Sequence, residues 1–108
     1  MTTPARGEVW FVNLDPSIGD EIQKQRPAVV MSRDAIGVLA LRVVVPITSW
    51  QPKFQSADWL IRLDPDAGSG LTKLSAADTF QVRSLSTKRF SRRLGRLSDS
   101  DIARIARD

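Results

Sequence analysis

Residues 41–48 read LRVVVPIT, a run of strand length in which β-branched side chains dominate. Such side chains pack well on a pleated sheet, so the run predicts a β-strand. Pro46 cannot donate a backbone hydrogen bond to a neighbouring strand, which places it near a strand end or a sheet edge. Residues 8–14 (EVWFVNL) and 27–32 (PAVVMS) have the same character, and we predict a strand at each of them.

The sequence on either side of these runs predicts further strands and loops. Residues 58–63 (DWLIRL) predict a fourth strand, and residues 77–85 alternate well enough to continue the sheet. Residues 15–25 contain proline, glycine and mixed charges without a period, which is typical of a long loop. Residues 86–96 suit either a strand or a basic loop.

A single helix is predicted at the end of the chain. Ser98 and Asp101 resemble a capping box, and the apolar residues around them fit one helical face. The residues of that face are Leu97, Ile102, Ile105 and Ala106. Several short strands and a closing helix predict a mostly β fold, a small antiparallel barrel or half-barrel, with residues 1–108 forming one domain.

Cysteine, histidine and tyrosine are all missing from the chain of 108 residues. Their absence excludes disulfides, zinc–cysteine sites and thiol nucleophiles, and it removes the imidazole and phenol groups that often transfer protons. Any catalysis must therefore use Arg, Lys, carboxylates, hydroxyls, amides or the substrate's own groups. We predict no cofactor and no metal site, because the scattered carboxylates form no recognisable magnesium motif.

The chain also lacks the marks of a membrane or secreted protein. No apolar run approaches the length of a membrane span, and residues 1–7 lack the apolar centre of a signal peptide. The absence of cysteine agrees with a reducing compartment. We therefore expect a cytoplasmic protein without a membrane partner.

The net charge of +4 is concentrated in one segment. Residues 79–98 contain six of the sixteen basic residues and no acidic one, which leaves ten basic against twelve acidic residues elsewhere. A localised basic patch is the electrostatic footprint of a polyanion binder. A solvated face that keeps a small protein soluble would have the same composition, so the patch alone does not identify nucleic acid.

Four short motifs follow one another along the chain. They are RGEVW at residues 6–10, DP at 15–16, the segment 19–30 with its Arg-Pro and Val-Val pairs, and PITS at 46–49. Their order and spacing resemble the MazF/PemK family, with its R-G-[DE]-[IV]-W-like strand, D-P loop, G-x-E-x-x-x-x-R-P-x-V-V element and P-[ICT]-T-like step. A later family element, D-Q-[IV]-[RK]-[ST], is matched by residues 81–84, but Phe80 stands where the family carries Asp.

The resemblance implies a small SH3-like barrel and the toxin of a type II toxin-antitoxin system. It implies a sequence-specific endoribonuclease that cuts single-stranded RNA without a metal and so inhibits translation. The RNA's own 2′-hydroxyl would attack phosphorus, leaving a 2′,3′-cyclic phosphate and a 5′-hydroxyl. The resemblance further implies a homodimer and a cognate antitoxin whose acidic, flexible tail occupies the RNA groove.

The resemblance places catalytic residues at Arg26 and Thr48, and the loop carboxylate of Glu21 is the third catalytic candidate. The guanidinium of Arg26 is a permanent forked donor that suits a phosphate or a charged phosphorane. The Thr48 hydroxyl can donate to a phosphate oxygen or orient the reacting 2′-hydroxyl, and Glu21 could accept the proton of that hydroxyl. The alternative roles are a salt-bridged arginine, a strand-end threonine and a solvated loop glutamate.

Five further residues are predicted to contact RNA: Lys24, Ser49, Trp50, Gln81 and Arg83. Lys24 and Arg83 would hold phosphates, Gln81 would bind a base edge or a phosphate, and Trp50 offers a stacking face to an unpaired base. Ser49 belongs to the same family motif as Thr48. Ordinary surface charge or packing is the alternative role for these side chains.

Two other classes of function remain open. A protein of the related CcdB-like barrel type inhibits DNA gyrase by binding it, without hydrolysis. A non-catalytic RNA-binding barrel would need only the basic segment. A cleavage assay separates both from a ribonuclease, and resistance to EDTA separates a metal-independent ribonuclease from a metal-assisted one.

Overall fold

The computed structural model describes residues 3–15, 19, 24–34 and 40–107. These residues form seven strands, one α-helix and several short 3-10 turns. The strands are β1 (Glu8–Asn13), β2 (Gln25–Val30), β3 (Leu41–Ser49), β4 (Leu60–Leu63), β5 (Ser75–Asp78), β6 (Arg83–Ser86) and β7 (Phe90–Arg96), and the helix is α1 (Asp99–Ala106). No helix in the described part of the chain is long and apolar enough to cross a membrane.

The strands form one antiparallel sheet in the order β4-β5-β3-β2-β1-β7, and β6 also pairs with β3. β3 therefore has β2 on one side and both β5 and β6 on the other. Among the described residues no pairing joins β4 to β7, so the sheet is barrel-like without closing. The predicted fold class, mostly β with a C-terminal helix and a small antiparallel barrel, is confirmed in this form.

Pro46 lies inside β3, where a proline would normally remove a ladder hydrogen bond. β6 pairs with residues 41–44 of this strand, and β5 pairs with residues 47–49. Pro46 therefore lies at the gap between these two partners, and Ala28 of β2 is opposite it on the other side. The predicted strand is confirmed, but the proline marks a change of partner rather than a strand end.

The apolar residues of β2 and β3 divide between two cores, because successive side chains of a strand point to opposite faces of the sheet. Val29 and Val45 belong to the first core, together with Ile102 and Ile105 of α1. Val44, the neighbour of Val45, belongs to the second core. The sheet is thus apolar on both faces, which explains the nearly continuous apolar runs in its sequence.

The prediction of one continuous strand over residues 77–85 is wrong. β5 ends at Asp78, a 3-10 turn covers Thr79–Gln81, and β6 follows. The Asp78 carboxylate accepts a hydrogen bond from the Phe80 amide (3.2 Å), and this local bond takes the place of ladder pairing. The basic residues 86–96 contain a second such turn and then β7.

The other strand predictions are confirmed with shifted ends. The fourth strand begins at Leu60 rather than at residue 58, and β2 begins at Gln25 rather than at Pro27. The predicted loop over residues 15–25 lies mostly outside the described residues.

The closing helix begins where the sequence predicts. The Ser98 hydroxyl accepts a hydrogen bond from the Asp101 amide (3.2 Å), which satisfies one of the free amides at the start of α1. Ile102 and Ile105 are buried, whereas Ala106 is exposed. The predicted apolar face is therefore confirmed except at its last residue.

Gly70 is the last residue of the turn between β4 and β5. Its backbone is in the left-handed region, with a φ of +78°. A Cβ built there would overlap the backbone carbonyl of Leu94 in β7. We predict that Gly70→Ala lowers the free energy of unfolding by about 2–4 kcal/mol, because the left-handed backbone and the overlap both oppose a side chain. Urea denaturation followed by circular dichroism measures the change.

Gly68→Ala is the matched control, because Gly68 belongs to the same turn. The atoms nearest to a Cβ at Gly68 belong to the Asp66 side chain, at 3.6 Å or more, so the substitution fits without overlap. We expect the unfolding free energy of this variant to change by no more than about 1 kcal/mol. Equal losses in the two variants would contradict a specific conflict between Gly70 and Leu94.

The Glu8 carboxylate joins the start of β1 to β7. It accepts hydrogen bonds from the Ala5 amide (2.8 Å) and Trp10 Nε1 (3.0 Å), and it forms an ion pair with Arg93 Nε (2.8 Å). Partial burial by itself raises the pKa of Glu8. The three hydrogen bonds and the charge of Arg93 outweigh that effect and hold the pKa below its ordinary value of 4.5.

A lowered pKa in the folded state means that ionised Glu8 contributes stability above pH 4.5. This contribution is lost as the pH falls through the folded-state pKa. We predict that Glu8→Gln is less stable than the wild type at neutral pH by about 1–2 kcal/mol, and that the difference shrinks below pH 4.5. Urea midpoints measured across this pH range test it, and a difference that does not change with pH would contradict it.

Candidate functional site

A cavity of about 250 Å³ opens where β2, β3 and β5 meet the middle of β1. Arg26, Thr48 and Ser49, three of the residues predicted from the sequence, all line it. The remaining lining residues are Phe11, Gln25, Pro27, Ile47, Lys73 and Ser75. Ile47 also belongs to the first core, so the cavity lies at an open end of that core.

Strand pairing determines which side chains meet in this cavity. Arg26 lies in β2 opposite Val12 of β1, near the start of the strand. Thr48 lies near the end of β3, and the next residue, Ser49, is opposite Ser75 of β5. Because β2 and β3 are antiparallel neighbours, the start of one strand lies beside the end of the other. This arrangement brings together two residues that are 22 positions apart in the sequence, from Arg26 to Thr48.

Positive charge and hydroxyl groups dominate the polar surface of the cavity. Arg26 and Lys73 supply the two cations, and Thr48, Ser49 and Ser75 supply hydroxyls. Within the described part of the chain no carboxylate lines the cavity. Cations and hydroxyl donors together are suited to a phosphate group, whose oxygens accept several hydrogen bonds.

Lys24, a predicted RNA contact, is held by hydrogen bonds of its main chain. Its amide donates to Asp15 Oδ1 (2.9 Å), and its carbonyl accepts from the Leu14 amide (3.0 Å). The residue has a φ of +68°, in the left-handed region that few non-glycine residues adopt. Its exposed side chain does not line the cavity.

Trp50 follows Ser49 directly but does not line the cavity. Its indole packs edge-on against Phe54, with ring centroids 5.7 Å apart, and its amide donates to the Leu74 carbonyl (3.0 Å). The half-buried ring thus packs within its own loop, next to the cavity rim.

Gln81 and Arg83 lie away from the cavity that contains Arg26. Gln81 ends the 3-10 turn after β5, and Arg83 donates to the Leu14 carbonyl (3.3 Å). Burial raises the pKa of Asp78, which begins this turn, and the amides of Phe80 and Gln81, which donate to its carboxylate, oppose the shift. In this chain the predicted contacts therefore form two groups, one inside the cavity and one outside it.

Glu21, the predicted general base, lies outside the described residues. Within the described ranges no cluster of three or more acidic side chains could hold a metal ion.

Six lining residues of the cavity were not predicted as site residues from the sequence, and Lys73 and Phe11 are two of them. Lys73 belongs to the turn before β5, and nothing in its neighbourhood distinguishes it from a surface lysine. Phe11 resembles any aromatic residue of an apolar strand. A spacing rule would not find either residue, because turn geometry and strand register bring them to the cavity.

The fold and the cavity together define a small barrel-like β-protein with a cationic site suited to phosphate. Residues 5–108 match the family described as PemK-like, MazF-like toxin of type II toxin-antitoxin system. The match extends over nearly the whole chain, and the chain therefore belongs to that family. The resemblance that the four sequence motifs suggested is confirmed.

One named relative supports this assignment, and two solved structures of lower identity share the fold. Endoribonuclease MazF9 of Mycobacterium tuberculosis is 38% identical over 106 residues, which span 93% of this chain and 87% of the relative. MazF from Deinococcus radiodurans superposes with a TM-score of 0.82 at 24% identity, covering 98% of this chain and 92% of that one. An endoribonuclease in complex with its cognate antitoxin, from a mycobacterial species, superposes with a TM-score of 0.73 at 16% identity, covering 95% and 87%.

The cationic cavity predicts binding of inorganic phosphate. A ligand at ten times its dissociation constant stabilises a folded protein by about 1.4 kcal/mol, so phosphate is expected to raise the melting temperature. We predict that Arg26→Gln and Lys73→Gln each reduce this rise by at least half. Thermal melts at increasing phosphate and constant ionic strength measure it.

Arg62→Gln is the control for the loss of one positive charge. Arg62 is exposed on β4, where it pairs with Asp64 (3.3 Å), and it does not line the cavity. Phosphate also stabilises proteins by being excluded from their surface, and this general effect remains in all variants. An equal loss of the phosphate effect in Arg62→Gln would show that net charge, and not the cavity, is responsible.

Proposed function

We propose that this chain is a metal-independent endoribonuclease toxin that cuts single-stranded RNA in the cavity formed by Arg26 and Thr48. The observation that carries the proposal is the meeting of these two residues with Lys73 in one cavity that no described carboxylate lines. The family membership and the endoribonuclease activity named for MazF9 support it.

The proposed reaction is transesterification within the RNA. The 2′-oxygen forms a bond to the adjacent phosphorus, the bond from phosphorus to the 5′-oxygen breaks, and the products are a 2′,3′-cyclic phosphate and a 5′-hydroxyl. The 2′-hydroxyl gives up its proton and the leaving 5′-oxygen gains one. Because the substrate supplies the nucleophile, a protein without His, Cys or Tyr can catalyse the reaction by positioning and charge stabilisation.

Four side chains of the cavity, and Glu21, have a proposed part in this reaction. Arg26 donates to the nonbridging oxygens, where negative charge increases in the phosphorane. Thr48 donates to the same phosphate or orients the 2′-hydroxyl, with Ser49 as a second donor. Glu21 is the proposed general base. Lys73, as a flexible point charge, holds the phosphate without requiring one fixed geometry.

The remaining parts of the proposal concern RNA contacts, assembly and place of action. Lys24, Trp50, Gln81 and Arg83 would contact RNA beyond the cavity, on a single domain that forms a homodimer in the cytoplasm. A cognate antitoxin with an acidic tail would bind the same cationic surface and exclude RNA. The neighbouring endoribonuclease solved in complex with its cognate antitoxin supports this partner. Undiminished RNA cleavage by a saturated toxin–antitoxin complex would contradict the exclusion.

Incubation of the purified protein with a long single-stranded RNA in EDTA tests the activity. We predict discrete cuts with cyclic-phosphate and 5′-hydroxyl ends, and no cutting of the matching DNA, which lacks the nucleophile. Arg26→Ala should reduce the cleavage rate by about 10²–10³-fold, as expected for the loss of one donor to the transition state. Thr48→Val, which keeps the side-chain shape, should reduce the rate by at least about tenfold.

The same assay separates the rival functions. Arg62→Gln, whose side chain does not line the cavity, should cleave like the wild type. If the wild type is folded yet cuts no RNA from a diverse pool, the endoribonuclease proposal fails. Retained RNA binding would then favour a non-catalytic RNA-binding barrel, whereas inhibition of DNA gyrase would favour the protein-binding class.

A further inference from the structure

A second cavity of about 240 Å³ lies next to the first. Phe11, Pro27, Lys73 and Ser75 line both of them. The two cavities are therefore adjacent parts of one groove, with these shared residues between them. The proposed cleavage residues, Arg26 and Thr48, line only the first.

The second cavity is built on a row of three residues across three strands. Phe11 of β1 is opposite Pro27 of β2 on one side and opposite Arg92 of β7 on the other. Opposite residues of antiparallel strands point to the same face of the sheet. The pairing of β1 with β7 shifts register just before Trp10 and just after Phe11. Such shifts re-aim side chains and are frequent next to functional sites.

Arg92 differs from the neighbouring arginines of β7 in its partners. Arg93 is paired with Glu8 and Arg96 with Asp99. In the described part of the chain Arg92 forms no ion pair, and its guanidinium carbon lies over the Phe11 ring, 5.7 Å from the centroid. The ring restricts the guanidinium without neutralising its charge, and the planar group keeps its donors available to an anion.

The chemistry of the second cavity fits a nucleotide better than a bare anion. Phe11, Pro27 and Leu94 supply apolar walls, while Lys73 and Arg92 supply positive charge. No described carboxylate lines this cavity either. Single-stranded nucleic acid is bound in this way, with cations along its phosphates and apolar or aromatic surface against its bases.

We propose that the second cavity binds the nucleotide adjacent to the cleaved one, with Arg92 as its phosphate contact. The inference rests on the proposed cleavage of RNA in the first cavity. Arg26, Lys73 and Arg92 then hold successive parts of one RNA backbone, because Lys73 belongs to both cavities. Phe11 forms part of the apolar wall and also positions Arg92, because the guanidinium lies over its ring.

The test measures the affinity of the protein for a nucleic acid that it cannot cut, and how this affinity depends on salt concentration. The probe is a short, fluorescently labelled single-stranded oligodeoxynucleotide of randomised sequence, which lacks the 2′-hydroxyl. Each phosphate contact contributes about 0.7 to the slope of log affinity against log salt concentration. We predict that Arg92→Gln lowers the slope by about 0.7 and the affinity by about three- to tenfold, whereas Arg92→Lys keeps the slope.

Controls separate a phosphate contact from a general effect of charge or folding. Arg62→Gln removes the same charge from an exposed site outside the groove and should leave the slope unchanged. Phe11→Leu keeps an apolar wall but removes the ring under the guanidinium, so it should weaken binding when Arg92 is present and add little to Arg92→Gln. Matching melting temperatures of Arg92→Gln and the wild type show that the fold is kept.

A parallel cleavage assay with RNA makes the two proposals separable. If the wild type cuts RNA but Arg92→Gln has the same KM and salt slope as Arg62→Gln, the subsite is wrong and the cleavage proposal stands. If Arg92→Gln raises KM and leaves kcat nearly unchanged, the subsite is supported. If the wild type cuts no RNA but the slope still depends on Arg92, the phosphate contact is supported and the proposed cleavage fails.

A polyglutamate probe tests for a different occupant of the second cavity. If Arg92→Gln weakens polyglutamate binding and leaves oligonucleotide binding unchanged, the cavity accepts an acidic peptide, and the nucleotide subsite is overturned.

Discussion

The double-sided pairing of β3 is the constraint on which the rest of the structure depends. β2 pairs with its middle on one side, while β6 and then β5 pair with its two ends on the other. Adjacent residues Val44 and Val45 supply the two opposite cores, so the strand is held by hydrogen bonds and by packing on both faces. Its end is consequently fixed, and Thr48 is presented to the cavity from a rigid element rather than from a loop.

The local sequence was sufficient to predict most of the strands and the helix. The exception is the stretch 77–85, and the reason is physical. Apolar β-branched runs predicted the strands, and the Ser98 hydroxyl caps the helix at the predicted position. The alternation of apolar and polar residues over 77–85 predicted one strand, because this pattern depends only on which face of a sheet each side chain would occupy. It does not report that the Asp78 carboxylate bonds the Phe80 amide and turns the chain. Such a bond competes with the ladder wherever a short acidic side chain can reach its own backbone.

The candidate site was predictable where a motif carried it. Arg26 and Thr48 belong to motifs that resemble the family's, and antiparallel pairing of β2 and β3 brings both to one cavity. Lys73 and Phe11 belong to no motif. They reach the cavity through a turn and through the register of β1 with β2, which depend on contacts that are distant in sequence. Residues of that kind become visible only when the strands are paired.

The basic segment shows why charge along a sequence is a poor guide to charge in a site. Arg83 and Arg89 donate to backbone carbonyls of residues 13–15, at and just after the end of β1, and two arginines of β7 are paired with carboxylates. These bonds make much of the segment structural. The cations of the groove, Arg26, Lys73 and Arg92, instead belong to three separate parts of the chain. Of these, only Arg92 belongs to the basic segment. These cations are therefore close to one another only in the folded chain, because strand register and one turn bring them together.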